Sequence, residues 1–135
     1  MSPAPSPQHQ LILAQLVRHF TNYLEGKPCV AIPAPFDVRL PEDDEEDDQV
    51  MTVVQPDLSV ICDRSKLDNT GYRGAPELVI EILSPGTFRK DQTIKFARYE
   101  RAGVQEYWKV VREEVVFDYE KLLLLLIGVE WDSIL

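Results

Sequence analysis

Apolar residues near the start of the chain recur at the spacing of one helix face. They are Leu13, Leu16, Val17, Phe20, Tyr23 and Leu24. Ser6 and Pro7 suit the N-cap and the first helical position, and Gly26 suits the residue after the helix. The pattern therefore predicts a helix that starts at Pro7, ends before Gly26 and packs through its apolar face.

Four later segments are rich in residues that favour strands. They span residues 29–40, 50–54, 56–62 and 77–83, and two prolines interrupt the first of them. The stretch 63–75 carries Asn, Gly, Asp and Ser, which predicts a loop. The acidic run 42–48 predicts a solvated hairpin loop, because charges of one sign repel each other.

The segment 77–83 has apolar residues on both faces, which is typical of a central strand. A helix is expected from about residue 87 to residue 102, closed by Gly103, and a strand over 104–111. This order predicts a right-handed βαβ crossover in an α/β protein. Farther along, 114–119 is a candidate strand, and 121–135 matches no clean period.

The composition changes this picture little. The 135 residues, 44% hydrophobic and 27% charged, suit one globular domain over residues 1–135. The net charge of -9 depends on the acidic run, which holds seven of the 23 acidic residues and leaves 16 against 14 basic ones. The charge therefore does not exclude a nucleic-acid partner.

The two cysteines, Cys29 and Cys62, form no C-x-x-C pair, so free thiols without zinc are predicted. The first ten residues do not resemble a signal peptide. The leucine-rich run 122–127 is far shorter than the roughly 20 residues that span a bilayer. A cytoplasmic protein without a membrane partner is expected.

Three polar residues stand where apolar ones are expected. Glu81 is flanked by isoleucine on both sides in the predicted central strand, where a charge must be paired or hold a metal. Asp57 opens the strand 56–62, and Lys95 lies on the apolar face of the second helix. Each has a simpler explanation. Glu81 could lie at a strand end that leans into solvent or form a buried ion pair, Asp57 could cap a strand or accept a backbone hydrogen bond, and the amine of Lys95 could reach solvent.

Taken together, the three residues suggest a metal site. Two carboxylates on adjacent strands can hold Mg²⁺, which prefers oxygen ligands, with Mn²⁺ as an alternative. A nearby lysine can orient a water or stabilise charge that develops on a phosphate. Asp57, Glu81 and Lys95 are therefore candidate catalytic residues for phosphodiester hydrolysis, with Asp57 and Glu81 as metal ligands.

Competing sites are weaker in the sequence. His9 and His19 have no obvious nucleophile or metal partner, and the chain has no P-loop, G-x-G-x-x-G, G-x-S-x-G or H-E-x-x-H motif. The aromatic residues Tyr99, Tyr107 and Trp108 are expected in the core.

Residues 6–111 resemble the Uma-two family, which is placed in the PD-(D/E)xK nuclease superfamily of restriction-endonuclease-like proteins. The motifs that carry the resemblance are "QPD" at 55–57, "GAPELVIEILSPGT" at 74–87, "RKD…K…Y" at 89–99 and "AGVQEYW" at 102–108. The resemblance implies a restriction-endonuclease-like α/β core, with a central mixed sheet flanked by helices, and magnesium-dependent nuclease chemistry.

The resemblance also assigns residues. Asp57 matches the aspartate of the first motif, and Glu81 matches the acidic residue of the second. The usual lysine two residues later is replaced by Leu83, and Lys95 matches the lysine that this family carries in the following helix.

Two further acids, Asp37 and Asp91, match family positions without an assigned role. Family members are also expected to carry an N-terminal segment before the first helix and a longer β-rich tail. The resemblance therefore predicts that this sequence lacks N-terminal and C-terminal segments of the family.

Two functions follow as hypotheses. The first is a magnesium-dependent endonuclease that acts on nucleic acid, with DNA as the expected substrate and a homodimer as the expected assembly by analogy with the fold. The second is a catalytically inactive nuclease-fold protein that serves as an interaction or assembly module, with Glu81 and Lys95 as a structural ion pair.

Overall fold

The computed structural model describes residues 5–41, 52–83 and 90–111, and at 90–95 and 111 it describes the backbone alone. Helix α1 spans Pro7–Leu24. Oγ of Ser6 accepts a hydrogen bond of 3.1 Å from the backbone N of His9, which satisfies one of the free amides of the first turn. The predicted first helix and its cap are confirmed.

The strands follow in the order that the sequence predicts, with two additions. Their bounds are β1 Val30–Pro33, β2 Val38–Leu40, β3 Thr52–Val54, β4 Leu58–Ile61, β5 Leu67–Asp68, β6 Gly71–Arg73, β7 Leu78–Leu83 and β8 Glu106–Val111. Helix α2 spans Lys90–Ala102 between β7 and β8, and Gly103 follows it with a φ of 98°.

The main sheet has the strand order β1-β4-β7-β8. Strand β4 is antiparallel to both β1 and β7, whereas β7 and β8 are parallel, so the sheet is mixed. All six residues of β7 are buried, which confirms the prediction of a central strand. The parallel pairing of β7 and β8 across α2 confirms the predicted crossover connection.

The two helices cover opposite faces of the main sheet. Side chains of α1 pack with Leu58, Val60, Leu78 and Ile80 in one apolar cluster. Tyr99 of α2 packs with Ile61 and Val79 in a second cluster, which also receives Val38 and Leu40 of β2. Because residues of one strand alternate between the faces, β7 contributes to both clusters.

A second sheet has the order β3-β2-β6-β5. Its strands β5 and β6, with a short 3₁₀ helix at Arg64–Lys66, lie in the stretch predicted to be a loop. The prediction missed them because β6 is held by parallel pairing with the distant β2, which local composition does not reveal.

The prediction of free thiols is wrong, because Cys29 and Cys62 form a disulfide. Cys29 precedes β1 and Cys62 follows β4. The antiparallel pairing of Val30 with Ile61 places the two cysteines opposite each other. The two cysteines are 33 residues apart in the sequence, and only the register of β1 and β4 shows that they pair.

Several predictions lie outside the described residues: the acidic loop at 42–48, the candidate strand at 114–119 and the leucine-rich run. Among the described residues, neither helix is long and apolar enough to cross a membrane.

Candidate metal and nuclease site

Asp57 directly precedes β4 and is held from two sides. Its Oδ2 accepts a hydrogen bond of 2.7 Å from the backbone N of Ile82 in β7. Its Oδ1 lies 3.0 Å from Nε2 of His9, near the start of α1. The side chain is 18% exposed, so solvent still reaches the carboxylate. Part of its role is therefore the backbone hydrogen bond that the simpler explanation predicted.

Glu81 lies in the middle of β7 and is 6% exposed. Its Oε1 accepts a hydrogen bond of 3.0 Å from the hydroxyl of Tyr99, a buried residue of α2. A buried carboxylate needs such donors, because its desolvation is costly. The strand and the helix thus both position this side chain.

The structure brings Asp57 and Glu81 together. The antiparallel β4–β7 ladder ends at the Leu58–Ile80 pair, and just beyond it the carboxylate of Asp57 contacts the backbone N of Ile82, the residue after Glu81. The two carboxylates contact different helices, because Asp57 meets His9 of α1 and Glu81 meets Tyr99 of α2. Two of the three predicted catalytic residues therefore lie near each other at one end of the β4–β7 pair.

The electrostatics of two tyrosines report the same arrangement. Burial raises the pKa of the hydroxyls of Tyr99 and Tyr107 above its ordinary value, and the negative charge of Glu81 raises it further. Asp57 contributes to the same shift at both residues. Both carboxylates therefore act on the same two phenol groups, which stay protonated and can donate hydrogen bonds.

Lys95 lies in α2, one turn before Tyr99. Positions four apart lie on the same face of a helix, and Tyr99 faces the sheet. The side chain of Lys95 is outside the described part of the structure, so its role stays a prediction. The side chain of Asp91 is outside it as well.

Asp37 lies elsewhere, at the start of β2 in the second sheet. Its Oδ1 accepts a hydrogen bond of 2.7 Å from Nε2 of Gln55. Its carbonyl oxygen accepts another, of 2.9 Å, from the backbone N of Tyr72. These contacts tie the second sheet together, which gives Asp37 a structural role.

Two residues of the site, His9 and Tyr99, were not predicted from the sequence to belong to it. His9 lacks any sequence signal that links it to Asp57, 48 positions later, although the Ser6 cap fixes its place in the first turn of α1. Tyr99 was expected in the core, and its burial confirms that expectation. The four-residue spacing from Lys95 was the one signal that Tyr99 faces Glu81.

The two carboxylates suit a metal ion that takes only some of its ligands from the protein. Among the described residues, no group of three or more His, Cys, Asp and Glu side chains is arranged to enclose a metal. Mg²⁺ is commonly bound by one or two carboxylates and completed by waters and substrate phosphates. Asp57 and Glu81 match that pattern, with oxygen ligands of the hardness that Mg²⁺ and Mn²⁺ prefer.

Comparison with known proteins shows which family the chain resembles. Residues 1–118 match the model of the Uma2 family, described as "Putative restriction endonuclease". The chain is 29% identical over 114 residues to an uncharacterized protein, slr1290, from Synechocystis sp.. That alignment covers 84% of this chain and 56% of the cyanobacterial protein, so the chain spans little more than half the length of that relative.

A solved structure shares the fold. The crystal structure of a putative nuclease belonging to DUF820, from Anabaena variabilis, aligns with a TM-score of 0.62 at 20% identity. The alignment covers 82% of this chain and 60% of that protein. This likeness confirms the predicted nuclease-like α/β fold, with its mixed sheet between helices. Because the family model spans most of the sequence, the chain belongs to the Uma2 family.

Proposed function

We propose that the protein is a metal-dependent endonuclease that hydrolyses phosphodiester bonds of nucleic acid at Asp57, Glu81 and Lys95. Asp57 and Glu81 would hold Mg²⁺ or Mn²⁺. The metal, when bound, supplies a Lewis acid that polarises the phosphate and lowers the pKa of a bound water.

The observation that supports the proposal is the hydrogen bond from the backbone N of Ile82 to Asp57, which holds this carboxylate beside the strand segment that carries Glu81. Two neighbouring carboxylates concentrate negative charge at a point that solvent reaches through Asp57. Two like charges near each other raise the affinity of such a point for a divalent cation. A divalent ion reduces the repulsion between them.

The chain's own residues divide the remaining tasks. Tyr99 fixes the Glu81 carboxylate, while the backbone of Ile82 and the His9 ring fix that of Asp57. Lys95 would hold the attacking water or stabilise the charge of the pentavalent phosphate.

The segment 87–101 supports contact with the phosphate backbone. It holds five basic residues, Arg89, Lys90, Lys95, Arg98 and Arg101, against two acidic ones, Asp91 and Glu100. This local excess could attract a phosphate backbone despite the net charge of the whole chain.

The test is cleavage of supercoiled plasmid DNA with Mg²⁺. The wild type is expected to nick the plasmid, and Asp57→Ala and Lys95→Ala are expected to lose most of that activity. Matched controls are Asp63→Ala and Lys66→Ala, which change an exposed acid and an exposed lysine of the 3₁₀ segment. Equal nicking by all five proteins would rule out this mechanism.

A second candidate is a catalytically inactive interaction module. Both oxygens of Asp57 already have partners in the protein, as a purely structural carboxylate would. Isothermal titration with Mn²⁺ separates the two functions. Binding that disappears in Asp57→Ala contradicts the inactive module, whereas absence of binding in the wild type supports it.

Magnesium, DNA as the substrate and a homodimer belong to the proposal through the family resemblance, and the cytoplasmic location stays a prediction from the sequence. Sedimentation velocity tests the assembly: the endonuclease proposal expects a dimer in the presence of duplex DNA, because fold relatives that cut both strands commonly pair.

A further inference from the structure

Strand β7, which carries Glu81, contains no basic residue. The residue two positions later, Leu83, is apolar and 4% exposed. A nuclease site also needs positive charge where the substrate's phosphates lie, because phosphate contacts fix the position of the nucleic acid. The neighbouring strand β8 provides a lysine at that level of the sheet.

Lys109 is the register partner of Glu81 in the parallel pair β7–β8. Neighbouring strands lie about 4.8 Å apart, and paired residues project from the same face. Tyr107, two residues earlier on β8, lies on this face, because its ring packs 5.2 Å from the ring of Tyr99, whose hydroxyl bonds Glu81. Lys109 therefore borders the carboxylate site on the side away from Asp57.

Two aromatic rings hold the ammonium group of Lys109 at the surface. Its Nζ lies 5.8 Å from the ring centroid of Tyr107 and 5.9 Å from that of Phe96. The two rings pack edge to face at 5.8 Å. Cation–π contacts of this kind restrict the side chain without neutralising its charge.

The same three residues form an exposed surface, here called the aromatic–lysine surface: Phe96, Tyr107 and Lys109. Lys109 is exposed and makes no ion pair with any residue that the structure describes. Phe96 is 45% exposed, which is unusual for a phenylalanine in a helix that packs on a sheet. An exposed ring beside a cation is the combination with which proteins contact a base and its phosphate.

We propose that the aromatic–lysine surface binds the phosphodiester backbone of a nucleic acid, with Lys109 in contact with a phosphate next to the scissile one. This inference rests on the proposed function and adds a substrate-binding residue to it. Lys109 supplies a positive charge beside Glu81, whereas Leu83, two residues after Glu81 on the same strand, is apolar. In this arrangement Lys95 acts in the hydrolysis itself and Lys109 in substrate binding.

The test measures binding rather than cleavage. A short fluorescein-labelled DNA duplex is titrated by fluorescence anisotropy over a range of salt concentrations, with Ca²⁺ in place of Mg²⁺ to suppress hydrolysis. Lys109→Gln is expected to lower affinity several-fold at low salt. It is also expected to reduce the slope of log Kd against log salt concentration by about one, the value for one lost phosphate contact.

Two variants make the result specific. Lys27→Gln is the matched control, because Lys27 is also exposed and its Nζ also lies over a tyrosine ring, 4.4 Å from the centroid of Tyr23. It should leave the slope unchanged. Lys109→Arg keeps the charge and should show the wild-type slope. If the lysine only packed against the two rings, the slope would not depend on the charge of residue 109.

The outcomes separate this inference from the proposed function. If Lys109→Gln keeps the wild-type slope while Asp57→Ala abolishes plasmid nicking, the catalytic site stands and the Lys109 contact is wrong. If the slope falls but no protein nicks DNA, the binding surface stands and the catalytic proposal is wrong. A wild type that does not bind the duplex overturns the Lys109 contact.

Discussion

The hydroxyl of Tyr99 donates a hydrogen bond of 3.0 Å to Oε1 of Glu81, and both residues are buried. The bond joins α2 to the central strand at the one charged position of that strand. It also couples the helix that carries Lys95 to one of the two carboxylates of the candidate site.

Tyr99→Phe should therefore destabilise the protein. The change removes the donor and leaves a buried carboxylate with one hydrogen bond fewer, which costs about 1–3 kcal/mol. Urea unfolding at neutral pH measures the loss. The matched control is Tyr72→Phe, because the hydroxyl of Tyr72 is buried without a hydrogen-bond partner among the described residues. That variant should be neutral or slightly more stable, and equal losses in both would contradict the role of Tyr99.

Stability should fall at alkaline pH. Burial raises the pKa of Tyr72 from 10.0 to about 12, and it also raises the pKa of Tyr99 and Tyr107. Between pH 10 and pH 12 the unfolded chain has lost protons that the folded protein keeps. The free energy of unfolding is therefore highest below pH 10 and decreases above it. Tyr72 contributes at most about 3 kcal/mol to the decrease.

Urea unfolding on either side of pH 10 checks this dependence. Tyr72→Phe should lose less stability than the wild type as the pH rises. A wild type with constant stability through this range would show that these hydroxyls titrate normally in the folded protein.

Reduction of the disulfide should lower stability. The Cys29–Cys62 bond closes a loop with a sequence separation of 33 residues, and restricting such a loop in the unfolded chain is worth about 3–4 kcal/mol. Urea unfolding with and without a phosphine reductant measures the effect. The double variant Cys29→Ser, Cys62→Ser should match the reduced protein and not respond to the reductant. Two free thiols in the untreated protein, counted by mass spectrometry after alkylation, would contradict the bond.

Gly71→Ala should be strongly destabilising. Gly71 has a φ of 134°, and a Cβ there would collide with the carbonyl of Asp37, the acceptor of the Tyr72 amide. We expect a loss of more than about 3 kcal/mol, because backbone strain and a clash between two sheet strands add. The control is Gly26→Ala, where φ is 79° but nothing lies within 4 Å. It should cost about 1 kcal/mol, the strain alone.

The sequence predicted the parts of the fold that local patterns encode. The α1 cap at Ser6, the apolar period of α1 and the doubly buried β7 depend on neighbours within a few residues, and all three are confirmed. The βαβ connection followed from element order and is confirmed by the parallel register of β7 and β8. Strand β6, which pairs with the distant β2, and the disulfide depend on strand pairing between distant segments, and both were missed.

The candidate site, like the fold, was predictable only where a residue is unusual in its own segment. Asp57 and Glu81 were identifiable because a carboxylate beside or within an apolar strand is locally anomalous. His9 and Lys109 were not, because each looks ordinary in its own segment, an early helix turn and an exposed strand position. Only the fold brings His9 within 3.0 Å of Asp57 and sets Lys109 in register with Glu81.

The hydrogen bond from the backbone N of Ile82 to Asp57 gives the site a natural spectroscopic reporter. This amide lies in the central strand and touches one of the two carboxylates directly. Any ion or substrate that withdraws Oδ2 of Asp57 must change the amide's chemical shift and its rate of hydrogen exchange. A single resonance in the spectrum of ¹⁵N-labelled protein would thus follow occupancy of the site in solution, without an attached fluorophore, a cleavable substrate or an active enzyme.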